Sequence, residues 1–78
     1  MHFKDEPLKN IINVLNRNFN TTFVAANTET GNRKLTVTFQ DETAETMTEL
    51  LCTTLNLKSQ NSNGSVVLSE IKSGGKRN

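Results

Sequence analysis

Seventy-eight residues suffice for one small domain and exclude a second with a core of its own. Only 33% of them are hydrophobic, while Asn and Thr contribute eleven each and neither Trp nor Tyr accompanies the four Phe, so the core must be thin. Nine basic residues face eight acidic ones, a net charge of +1 that argues against a general polyanion binder, whose affinity needs many Lys and Arg contacts to phosphates.

In chain order, Met1-His2-Phe3-Lys4 opens without a basic region, an apolar stretch or a cleavage site. The expectation is a cytosolic protein or an excerpt from a longer exported or membrane-anchored chain. Asp5 or Glu6, with Pro7 just inside, reads as a helix start. Leu8, Ile11, Ile12, Leu15 and Phe19 then fall on one helical face, with Lys9, Asn10, Asn13, Asn16 and Arg17 opposite. Phe23-Val24-Ala25-Ala26 reads as a short strand. Leu35, Val37 and Phe39 alternate with Lys34, Thr36 and Thr38, the period-2 pattern of a half-buried strand.

Ala44, Met47, Leu51 and Leu55 draw a second helical stripe with Leu50 on its edge, although Thr43, Thr46, Thr48, Thr53 and Thr54 are weak helix formers. This helix should depend on burying its stripe. Asn63-Gly64 is a two-residue hairpin signal joining Leu57–Ser62 to Ser65–Ile71. It sets Ser59 across from Leu68 and Asn61 across from Val66. Leu57, Val66 and Leu68 then share one face, and Val67 lies on the other beside Lys58 and Gln60. The longest apolar runs, Phe23 to Ala26 and Leu50 to Cys52, are too short to span a bilayer.

A shift of 36 residues superposes Phe3-Lys4-Asp5-Glu6 on Phe39-Gln40-Asp41-Glu42. The register continues through Leu8 and Ala44, Ile11 and Met47, Leu15 and Leu51, and Phe19 and Leu55. The expected fold is α+β, in the order β-α-β-β-α-β-β, with two helices on one face of a small sheet built from a duplicated β-α-β unit. Residues 1–71 form its single domain and 72–78 a flexible polar tail.

No constellation carries catalysis. Asp5-Glu6 and Asp41-Glu42 could be paired acids, but their shared place at two helix starts fits capping better than catalysis. Cys52 is the lone cysteine and cannot form an internal disulfide; the one histidine, His2, sits in a terminus, so Cys52 reads as a thiol on a helix flank. One His and one Cys cannot build the usual zinc sets, no acidic loop has calcium spacing, and the four glycines form no phosphate loop. No cofactor is expected. An RNA-binding role would need sheet-face aromatics or a G-x-x-G loop; Phe3 and Phe39 fit core anchors better. What remains is backbone: a small sheet exposes an edge that can accept another chain's strand, unless Lys58, Ser59 and Ser69 blunt it. The candidate partner-binding residues are Lys58, Gln60, Val67 and Ser69 on the C-terminal hairpin, with Val67 as the exposed apolar contact.

Phe3-Lys-Asp-Glu-Pro-Leu-Lys-Asn-Ile-Ile-Asn-Val-Leu-Asn-Arg-Asn-Phe-Asn20, Lys34-Leu-Thr-Val-Thr-Phe-Gln-Asp-Glu42 and Leu50-Leu-Cys-Thr-Thr-Leu-Asn-Leu57 together resemble a known family. It is the C-terminal domain of FecR-type anti-sigma factors from Bacteroidetes, itself similar to the short N-terminal domain of secretins and TonB-dependent receptors. The resemblance runs from residue 3 to about 71 and departs from the family pattern at the Thr-rich second helix, with Ala44 where the family often has Leu. It implies a non-enzymatic periplasmic module of an inner-membrane regulator. Its partner would be the signalling domain of a TonB-dependent outer-membrane transporter, and a cytoplasmic part outside this sequence would hold an extracytoplasmic-function sigma factor. The alternative is the short N-terminal domain of a transporter or secretin itself.

Overall fold

The computed structural model describes residues 1–40 and 43–71. The expected caps Asp41 and Glu42 and the expected tail 72–78 lie outside them. The elements are β1 (His2–Pro7), α1 (Leu8–Asn18), β2 (Thr22–Ala25), α2 (Thr28–Gly31), β3 (Lys34–Thr38), α3 (Ala44–Leu55), β4 (Leu57–Ser62) and β5 (Ser65–Glu70). The α+β class and the order of strands and long helices are those expected, with one helical turn, α2, added between β2 and β3.

Helix α1 forms where the apolar stripe lies and buries Leu8, Ile11, Ile12 and Leu15. Its start departs from the expected carboxylate cap. Pro7 occupies the N-cap position without a side-chain bond, and the Leu8 N–H donates instead to the Arg33 carbonyl at 2.8 Å. Glu6 accepts from the Asn10 amide. Asp5 takes a left-handed φ of 54°, and its N–H donates to Thr36 Oγ1 at 3.0 Å. The reason is that β1 runs into α1 without a connecting residue, leaving no turn from which a carboxylate could fold back over the first N–H groups.

Helix α3 begins at Thr43, whose hydroxyl accepts from the Thr46 N–H at 3.2 Å, and buries Met47, Leu51 and Leu55. It ends at Asn56, which sits in the left-handed region at φ 57° and turns the chain straight into β4. Asn suits that conformation better than most side chains. The unforeseen α2 is capped by Asn27, whose Oδ1 accepts from both the N–H and the hydroxyl of the fully buried Thr30, each at 2.9 Å.

The strands form two sheets. β1 pairs antiparallel with β3, with an irregularity between Phe3 and Glu6; the other sheet has the order β2-β5-β4. β2 runs parallel to β5 and β4 antiparallel to it, with Ser59 opposite Leu68 and Asn61 opposite Val66 in the expected register. Asn63 (φ 50°) and Gly64 (φ 83°) supply the two positive φ values of the turn. The repeat is visible in space. Each helix packs between strands of both sheets, α1 against β1 and β2, α3 against β3 and β4. The corresponding Phe3 and Phe39 meet edge to face at 6.1 Å, and the corresponding Leu15 and Leu51 are both fully buried in one cluster with Phe23, Leu57 and Leu68.

Candidate protein-docking surface

β5 is the central strand of its sheet, so its side chains divide cleanly. Val66 and Leu68 turn inward with Phe23 of β2, while Val67 and Ser69 turn outward. The register sets Lys58 opposite Ser69 and Gln60 opposite Val67, so the four hairpin candidates form two adjacent cross-strand pairs on one outer face. On the other flank Val24 pairs with Val67 and is 40% exposed. Val67 itself is half-buried because a strand lies on either side of it. The outer face thus carries an apolar row, Val24 and Val67, bordered by Lys58 and Gln60.

The two edges of this sheet differ. Ala26 N–H donates to the Leu68 carbonyl at 2.9 Å, so by alternation Phe23 directs its main-chain groups away from β5. There the Asn16 side chain receives them: its Oδ1 accepts from the Phe23 N–H at 2.8 Å and its Nδ2 donates to the Phe23 carbonyl at 3.0 Å. A side-chain amide on α1 thereby takes the place of a neighbouring strand. Among the described residues β4 has no such cover. In a hairpin closed by a two-residue turn the flanking pair, Ser62 and Ser65, exchanges both bonds, and alternation then points the N–H and C=O of Ser59 and Asn61 to the open side.

Beneath this edge, between the first turns of α3 and the inner face of the hairpin, lies a groove of about 500 Å³ lined by Ala44, Glu45, Thr48, Glu49, Ser59, Asn61 and Val66 among others. Cys52 lies on the same flank of α3, close to Ser59. Burial pushes its thiol above the ordinary cysteine range, which leaves it protonated near neutral pH and unsuited to nucleophilic work. Among the described residues no group of three or more His, Cys, Asp or Glu could hold a metal ion.

Arg33 was not singled out by sequence reasoning. Its Nη1 reaches both carboxylate oxygens of Glu70 at 2.6 and 2.9 Å, and its Nη2 donates to the Leu55 carbonyl at the end of α3. With its own carbonyl on Leu8, it ties the starts of α1 and β3 to the ends of α3 and β5.

Residues 1–68 match the family described as FecR, C-terminal. The chain belongs to that family. FecR-type proteins are anti-sigma regulators, the signalling family that the resemblance implied. No curated protein matches it significantly. Among solved structures the FecR domain is similar to a chain in the atomic model of the Salmonella SPI-1 type III secretion injectisome basal body proteins InvG, PrgH and PrgK. The TM-score is 0.75 at 14% identity, over 90% of this chain and 15% of that one. The likeness is one of fold. The FecR domain corresponds to a small part of that chain, and no helix among its described residues is long and apolar enough to cross a membrane.

Proposed function

We propose that this FecR C-terminal domain is the periplasmic, non-enzymatic protein-interaction module of a transmembrane anti-sigma factor. It receives a signal from the N-terminal signalling domain of a TonB-dependent outer-membrane transporter and passes it towards an extracytoplasmic-function sigma factor held by the cytoplasmic part. The family match over residues 1–68 carries this reading. Supporting it is a sheet with one edge covered at Phe23 by Asn16 and the other, β4, without such cover among the described residues and so able to accept a strand. Lys58, Gln60, Val67 and Ser69 form the outer face beside that edge and are the proposed partner contacts.

The test is an amide-resolved NMR titration with the signalling domain of the transporter encoded nearby. Shifts are expected on β4 and at Val67 and Ser69; no shift at any residue under saturating partner overturns the reading. The alternative, the short N-terminal domain of a transporter or secretin, shares the fold and is separated by gene context. An upstream membrane helix and a neighbouring sigma gene favour the regulator, and a β-barrel encoded downstream in the same chain favours the transporter.

A further inference from the structure

We infer that the β4 edge selects an extended protein segment whose groove-facing side chain is basic, a lysine or arginine reaching Glu45 and Glu49. This rests on the proposed docking role and deepens it by naming the chemistry of the recruited strand. A strand added to β4 lies about 4.8 Å beyond it and alternates its side chains between the two faces. On the inner face those side chains stand beside Ser59 and Asn61, at the wall of the 500 Å³ groove. Ser59 and Asn61 are exposed where Leu57, on the same face of the same strand, is buried. The inner surface is therefore uncovered at this end of the hairpin.

The groove is also charged in one sense. Glu45 and Glu49 stand one helical turn apart on α3, both exposed, and among the described residues no Lys or Arg lines the groove. Among the described residues neither carboxylate has an ion-pair partner; the pair found is Arg33 with Glu70, at the other end of α3. Like charges at this spacing oppose each other mildly, and a cation between them removes that cost. Ala44 and Val66 offer apolar surface along which a Lys or Arg stem can lie with its head at the carboxylates. An acidic side chain at the same position would meet only repulsion, so the groove discriminates by exclusion as much as by attraction.

The probe is the capped peptide Ser-Val-Thr-Arg-Thr-Val-Ser, titrated into the labelled domain beside a version with Glu in place of Arg. The arginine peptide is expected to shift the amides of Ser59, Asn61 and Glu49, and to bind about fivefold more weakly to the Glu45→Gln/Glu49→Gln variant, in keeping with two partly exposed charge contacts. Equal affinity for the two peptides, no binding of the arginine peptide, or an affinity unchanged in the double variant overturns the inference. The double variant titrated with the transporter signalling domain separates the two readings. Unchanged binding of that domain sinks the basic-strand inference and leaves docking intact, whereas absence of binding to the unmodified protein sinks docking itself.

Discussion

Arg33 shows how much of this small structure depends on single polar side chains. Its guanidinium is 42% exposed and its partner carboxylate 37%, so the ion pair alone contributes little in water. What it adds is a bridge from the Glu70 carboxylate to the Leu55 carbonyl, at a helix end where positive charge is favoured. Arg33→Met should lower stability by about 1 kcal/mol in urea unfolding. Amide exchange should accelerate at the end of α3 while Leu8 stays protected, because its bond goes to the Arg33 main chain. Arg33→Lys should restore only part of the loss, since an ammonium lacks the planar fork that spans two acceptors. Equal acceleration at Leu8 would mean that the side chain sets the whole loop and not the end of α3. None of this was legible in the sequence. Arg33 lies in a polar stretch beside a strand, and its partners are 22 and 37 residues away.

The elements themselves were legible where a pattern is local. The helical stripes of α1 and α3, the alternation of β3 and the Asn63-Gly64 turn each state their conformation within a few residues, and the hairpin register follows from the turn alone. The division into two sheets was not, because pairing of β2 with β5 depends on how the chain returns. In each unit the helix stands between its two strands, α1 packing on β1 and β2 and α3 on β3 and β4. The two strands of a unit enter different sheets, β1 and β3 one, β2 and β4 the other. The sealed edge of β2 was also hidden, since Asn16 stands on the polar side of the α1 stripe and reads as solvent-facing. Asn16→Leu should cost about 1–3 kcal/mol by leaving both main-chain groups of Phe23 unpaired. Asn16→Asp should fare little better, since a carboxylate can accept from the N–H but opposes the carbonyl. Thermal unfolding of the two variants checks this; wild-type stability in either would show that water replaces the amide without loss and that the β2 edge is open after all.

For the molecule as a whole the question is which surface of the three-stranded sheet belongs to the core and which to a partner. Adjacent residues of β5 answer it. A domain of this size is stabilised by about 4–12 kcal/mol in all. Leu68 has no exposed surface, so Leu68→Lys places an unpaired charge among apolar side chains, which costs a large share of that total and should unfold the chain. Val67 faces outward beside Val24 and Gln60. Val67→Lys lets the ammonium reach water over its neighbours and should cost about 1 kcal/mol or less. The dispersed amide spectrum of the Val67 variant should persist while binding of the proposed partner, the transporter signalling domain, weakens, because the apolar centre of the outer row is lost. Collapse of that spectrum would place Val67 in the core and leave the outer face without its apolar contact. Full binding with the fold intact would move the partner off this face and onto the β4 edge and its groove, where Glu45 and Glu49 become the residues that decide recognition.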